Sequence, residues 1–159
     1  MKLTKLTVAA VCAIAFGLTG CGDEVGDVSL GLFTTKDIKL NQMNDPIVTG
    51  VTCHVASIEA NLDLSDPSDS SISCRQTGAI TKDMIAAIDK SSSGEVVFKK
   101  SKSIFFKTMK VRRIFDAENQ TLMYVSYSTK ETSGSYKHSL STVPLWGTQA
   151  YIDKKSAVN

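Results

Sequence analysis

Few side chains in this 159-residue chain stand in a pattern that invites a reading as nucleophile, redox centre or metal ligand. They are Cys12, Cys21, Cys53 and Cys74, the two histidines His54 and His138, and the spaced aspartates Asp63, Asp66 and Asp69. Cys53 and His54 are adjacent, but successive side chains of an extended strand point to opposite faces, which makes a Cys–His nucleophile from this pair awkward. The distance in sequence from Cys53 to Cys74 is far from the Cys-x-x-Cys spacing of a redox motif, and Cys53, His54 and Cys74 lack a convincing fourth zinc ligand. The aspartates have no EF-hand spacing, central glycine or distal glutamate, so a solvated loop outweighs a calcium site. Phosphate-cradling glycine loops are missing, and neither histidine sits in a hydrolase or zinc motif. The chain therefore reads as a non-enzyme with no catalytic, cofactor-binding or metal residues to assign. A thiol–disulfide or small-molecule enzyme using Cys53 and Cys74 is the alternative.

The N-terminus decides the setting of those cysteines. Lys2 and Lys5 precede a short apolar run over residues 6–16, and Leu18, Thr19, Gly20 and Cys21 follow. The run is too short to span a bilayer comfortably and reads as a cleaved export signal. The Leu-Thr-Gly-Cys end resembles the lipobox of bacterial lipoproteins. That resemblance implies lipidation of Cys21, removal of residues 1–20 and attachment to a membrane on the periplasmic side, with Gly22 leaning towards the outer membrane. An ordinary secretory signal is the alternative. Export leaves Cys53 and Cys74 as an even pair in an oxidising compartment, for which a disulfide is the default and redox-active or metal-bound thiols are the sharper alternatives.

Composition bounds the partners. Losing Lys2 and Lys5 leaves sixteen basic residues against sixteen acidic ones, so the formal net charge falls from +2 to zero. A local feature survives: seven basic residues between positions 99 and 113, with no acid among them. Lys99, Lys100, Lys107, Lys110 and Arg112 form a candidate face for an anionic envelope component or protein; the plainer reading is lysines that keep a sheet surface solvated. The interleaved phenylalanines look like core rather than stacking platforms, and with export this makes nucleic acid an unexpected partner.

The same stretch, residues 94–130, has the densest β-forming composition. A bulge between Phe106 and Met109 would rephase one long strand, and Asp116, Ala117, Glu118, Asn119 and Gln120 make a polar turn into a second strand over residues 122–128, giving an antiparallel hairpin. Upstream, residues 22–29 read as a polar tether and residues 28–33 as the start of a first strand. Asn44, Asp45 and Pro46 mark a turn, and residues 48–57 a strand with Val51, Cys53 and Val55 on one face. Residues 61–73 read as a loop, and residues 72–75 could pair with residues 51–55 and bring Cys53 within bridging distance of Cys74. A helix is predicted over residues 81–90, with Thr81 as cap, Asp83 in its first turn, Lys90 at its end and Met84, Ile85 and Ile88 as its apolar stripe. The tail over 147–159 shows no strong pattern.

Taken together, Asn44-Asp45-Pro46, Val51-Thr52-Cys53, Ser71 to Gln76 with Gly78 and Ile80, and the run from Gly94 to Lys100 resemble the CreA family of bacterial envelope proteins. Phe106-Lys107, Arg113, Phe115-Asp116-Ala117, Tyr124, Tyr127-Ser128 and Ser141 to Pro144 carry the resemblance further. It spans residues 33–145 and implies no established activity or catalytic residues. The lipobox is a departure from members with a plain secretory signal. The expected organisation is a signal over 1–20, a tether over 21–29, a CreA-like domain over 30–146 and a tail over 147–159. The expected fold is α+β and β-rich: an antiparallel sheet of about five to seven strands, one short helix near residues 81–90 and a Cys53–Cys74 disulfide.

Overall fold

Asp45 turns the chain between two of its longest strands, and the way it does so sets the frame of the first sheet. Its carboxylate Oδ1 accepts the backbone N–H groups of Ile47 (2.9 Å) and Val48 (2.7 Å). Its own N–H donates to Val51 O at 3.1 Å, which closes the turn. The computed structural model describes residues 23–31, 36–60, 70–102, 107–129 and 137–153. Before the turn runs strand β2 (Lys36–Asn44), and after it β3 (Val51–Ala60). In β3 Val51, Cys53 and Val55 are buried, whereas His54 and Ala56 on the other face are half-exposed, the period of two expected for a strand with one face on a core.

Four strands make this first sheet, each antiparallel to its neighbour in the chain: β1 (Asp23–Ser29), β2, β3 and β4 (Ser70–Gln76). Residues 23–29, within the segment expected to be a tether, are β1. The acids that suggested a solvated linker are cross-strand partners of a lysine: Lys39 Nζ bonds Glu24 at 3.1 Å and lies 3.9 Å from Asp27. Of the strand expected to start over 28–33, Val28 and Ser29 are the end of β1, Gly31 adopts φ 123°, and residues 32–33 lie outside the described residues. Asp63, Asp66 and Asp69 lie outside the described residues.

After β4 the chain crosses to a second sheet through a single helical turn and a half. Thr81 caps α1 (Lys82–Ala87) by accepting the Met84 N–H at 3.3 Å. The helix ends three residues before Lys90 because Ile88 is extended (ψ 156°) and 5 % exposed, so its side chain is turned into the core rather than along the helix. Asp89 then accepts the Ser91 N–H at 2.7 Å, a local turn that competes with further helix.

The second sheet repeats the meander with β5 (Glu95–Lys102), β6 (Lys107–Asp116), β7 (Thr121–Ser128) and β8 (His138–Pro144). The hairpin of β6 and β7 around residues 117–120 is as expected, with Asp116 accepting the Asn119 N–H at 3.0 Å and Gln120 at φ 48°. The long strand with a bulge between Phe106 and Met109 is not. The chain reverses between Lys102 and Lys107, and the described irregularity of pairing falls between Val96 and Phe98.

The architecture is thus β-rich, with eight strands among the described residues in two four-stranded antiparallel sheets rather than one sheet of five to seven. A six-residue helix makes α+β too strong a description. The first sheet ends at β4 for a local reason. The Cys74 N–H faces away from β3 and donates to Ser141 Oγ on β8 at 2.8 Å, so a side chain occupies the edge where a fifth strand would pair. β4 packs on β7 and β8, and Val51, Cys53, Val55, Ile72 and Cys74 meet Phe98, Val111, Leu122, Tyr124 and Val143 in one core. Residues 147–153 belong to that core's rim. Ala150 is buried and donates to Ile80 O at 3.1 Å, while the Gln120 amide bonds both the N–H and the C=O of Ile152 at 2.7 Å.

Candidate functional site

The cysteines expected to bridge sit directly opposite each other in the β3–β4 ladder, with Cα atoms 4.0 Å apart, and they form a disulfide. Cys53 is fully buried and Cys74 8 % exposed, so the bridge is part of the core and solvent thiols have little access to it. His54 projects from the other face of β3, between Gln42 and Ser73, and is not set against the sulfurs. The arrangement is that of a staple. Cys21 lies outside the described residues.

Pairing register divides the basic cluster. Lys99 and Lys110 are directly opposed across β5 and β6, and Arg112 shares their face, opposite Val96. Lys100 is paired with Met109 and Lys107 with Lys102, which are the alternate positions of the ladder. By register, then, Lys99, Lys110 and Arg112 occupy one set of ladder positions and Lys100 and Lys107 the alternate set. Arg112 is committed locally, donating from Nη1 to Ser93 O at 2.8 Å and Gly94 O at 3.0 Å. Lys99 and Lys110 remain as the solvent-facing pair. Across the same face run Ile114, Met123, Val125, Tyr127, Leu140 and Val96, of which Leu140 and Val96 are exposed.

Arg113, counted in the sequence with the basic cluster, faces the other way. It is 1 % exposed and forms ion pairs through Nη1 with Asp45 and through Nη2 with Glu95. Tyr124, wholly buried, donates its hydroxyl to the second Asp45 oxygen at 2.7 Å. Asp45 therefore holds its own turn, an arginine of β6 and a tyrosine of β7 at once. Burial opposes the Arg113 charge, but the hydrogen bonds and charges of Asp45 and Glu95 more than offset it and hold the proton more firmly than usual. Burial, reinforced by the Asp45 charge, pushes the Tyr124 phenol well above the ordinary tyrosine range. Glu95 Oε1 also accepts the Asp89 N–H at 3.0 Å, tying the segment after the helix into the same network. Arg113 Nε is buried without a hydrogen-bond partner. A cluster of this kind orders the interior, with Asp45, Arg113 and Tyr124 buried and Glu95 at its partly open edge. One sequence signal pointed to it. Arg113 shares strand parity with the apolar Met109, Val111 and Phe115, and an arginine on a buried face requires a carboxylate.

At the opposite end of the sheets an open groove of about 320 Å³ lies between β2, β3, β4 and the start of β8. Ile38, Ala56 and Ile58 give it an apolar floor, Ser57, Ser70 and Ser71 supply hydroxyls, and His138 stands at its edge. It is an open cleft whose lining mixes apolar side chains and hydroxyls.

Fold and sites together define, over the described residues, a disulfide-stapled protein of two four-stranded antiparallel sheets. The chain belongs to the CreA family: the family model described as CreA protein matches residues 25–148. Its relatives include Protein CreA of Escherichia coli K12, and Protein CreA of the O6:H1 and O157:H7 strains of that species. Each is 35% identical over 151 residues, covering 89% of this chain and 95% of the relative. No solved structure matches the chain.

Proposed function

We propose that this CreA-family chain is a non-enzymatic lipoprotein of the bacterial envelope, anchored through lipidated Cys21 on the periplasmic side, that binds an anionic envelope component. Its contact surface is the outer face of β5–β8, centred on Lys99 and Lys110. The observation that carries the reading is their register: two lysines directly opposite each other, with no ion pair to either among the described residues. Like charges directly opposed on a sheet destabilise it by a few tenths to about 1 kcal/mol. An anion bridging both lysines converts that repulsion into attraction, and exposed Val96 and Leu140 on the same face supply apolar contact beside it.

The test is crosslinking and capture from native membranes with the Lys99→Gln/Lys110→Gln variant beside the parent protein. Loss of the captured anionic component, together with weakening of parent binding as salt rises, is the expected result, because exposed charges are screened over about 8 Å at physiological ionic strength. An unchanged set of partners removes this surface from consideration. Intact mass with peptide mapping on protein from the membrane fraction tests the anchor separately, through a diacyl or triacyl group on Cys21.

A further inference from the structure

Among the exposed apolar residues, two large ones lie on the segment that follows β8. Trp146 is 73 % exposed and Ile152 59 % exposed. Tyr151 stands edge-on to Trp146 with ring centroids 4.9 Å apart. This exposure is not that of a loose tail. Leu145 and Ala150 on either side are buried at 1 % and 4 % exposure. The Leu145 N–H donates to Gln120 O (2.9 Å), and Leu145 O accepts both the backbone N–H and the hydroxyl of Thr148 (2.9 and 2.7 Å). Gln120 clamps the backbone of Ile152 from both sides. The fold thus holds an indole and a branched aliphatic chain exposed on a fixed segment, with the half-buried Tyr151 packed between the core and the indole edge.

The position of the platform says what it faces. Asp23 pairs with Gln42, Gln42 with His54 and His54 with Ser73, so the first described residue lies two residues short of the sheet end marked by Asn44, Thr52 and Arg75. That is about 7 Å of strand, and Gly22 with Cys21 spans at most about 7 Å. Asp45 at the same end binds Arg113 and Tyr124, which aligns this end of the first sheet with the Pro144 end of β8. Ala150 bonds Ile80, four residues beyond the end of β4. Asp23, the first described residue, and the Trp146 segment therefore both lie towards this end of the two sheets. Tryptophan and tyrosine favour the headgroup level of a bilayer, where the ring is dehydrated and its N–H or O–H stays wet.

We infer that Trp146 and Ile152, with Tyr151 bracing the indole from the core side, form a second membrane contact, inserted at the headgroup level of the bilayer that holds the Cys21 lipid, so that the domain lies against the membrane in one orientation instead of swinging on its anchor. The inference rests on the lipoprotein reading above. Its occupant is the lipid surface, engaged through apolar contact rather than through charge.

Trp146 is the chain's single tryptophan and reports on its own surroundings. Full-length protein from the membrane fraction is reconstituted in phosphatidylethanolamine–phosphatidylglycerol vesicles with and without brominated phosphatidylcholine. The expected result is blue-shifted emission, quenching by the brominated lipid and protection from acrylamide, all persisting in high salt. Ile152→Glu, a change at an exposed position whose Gln120 bonds are to backbone, abolishes the brominated-lipid quenching while leaving thermal unfolding unchanged. Solvent-like emission open to acrylamide overturns the inference, as does quenching that Ile152→Glu leaves intact or that high salt removes. Intact mass on the same sample decides lipidation independently: an unlipidated chain defeats the anchor reading, while the tryptophan signal in vesicles still decides the contact.

Discussion

Replacing Asp45 with alanine is the sharpest test of what holds the two sheets together. The carboxylate accepts from two backbone N–H groups of its own turn, from Arg113 and from the Tyr124 hydroxyl, and all but the Ile47 bond are buried. Removing it leaves Arg113 buried with Glu95 as its remaining carboxylate, and Glu95 is partly open to solvent. Breaking a buried pair from one side costs about 3–5 kcal/mol, because the remaining charge is stranded. A domain of this size has a total stability of about 5–15 kcal/mol, so Asp45→Ala removes a large fraction of it. Urea unfolding followed by far-ultraviolet circular dichroism measures the change as a shift in midpoint at constant slope. The double variant Asp45→Ala/Arg113→Met provides the internal control. With both charges gone the loss is smaller than the sum of the two single losses, since neither member of the Asp45–Arg113 pair is left buried alone. A cost below about 1 kcal/mol for Asp45→Ala, or strict additivity in the cycle, refutes the view that this ion pair joins the sheets.

Three further outcomes follow from the same geometry. Tyr124 keeps its proton in the folded state to higher pH than in the unfolded chain, where tyrosine titrates near 10. Above pH of about 10 the unfolded state therefore binds fewer protons than the native one, and stability falls with rising pH; Tyr124→Phe removes that part of the slope in urea titrations between about pH 9 and 11. Opening the disulfide by Cys53→Ser/Cys74→Ser releases a loop of 21-residue separation and costs about 3 kcal/mol by the chain-entropy model, read as a lowered melting temperature. Without denaturant, mild reductant leaves both cysteines unalkylated, because the bridge is in the core. Gly94→Ala destabilises by about 1–3 kcal/mol: its φ is +58° and the added Cβ lies 2.0 Å from Arg113 O, so the start of β5 must shift, and circular dichroism melts show it.

Much of the ladder geometry was legible because it is local. Val51, Cys53 and Val55 alternate with polar residues, residues 72–75 offer a matching partner strand, and together they place the cysteines opposite each other without any knowledge of the rest of the fold. The β6–β7 hairpin announces itself through a polar turn between two alternating runs. What was hidden depends on contacts between segments distant in sequence. Asp45 signals a turn through its neighbour Pro46, and nothing nearby reveals an arginine 68 positions away. Arg113 was grouped with a solvated cluster because the reversal between Lys102 and Lys107 resembles a bulge in one strand, and a bulge leaves the facing of later residues ambiguous. The acids of β1 suggested solvent because the opposing Lys39 becomes their neighbour only after pairing. The segment over 147–153 has no pattern of its own, since Gln120 and Ile80 hold it through backbone bonds that any residue type can make.

The meander order has a consequence for how the chain acquires its structure. Every strand of the first sheet pairs with the strand immediately before or after it, and the sheet is complete at Gln76. As a chain emerges N-terminus first, Cys53 and Cys74 can meet before a single residue of β5 is available. Loop closure between neighbouring strands is also among the least costly in entropy. Oxidation can thus precede docking of the two halves, and the second sheet arrives to find its partner surface already crosslinked.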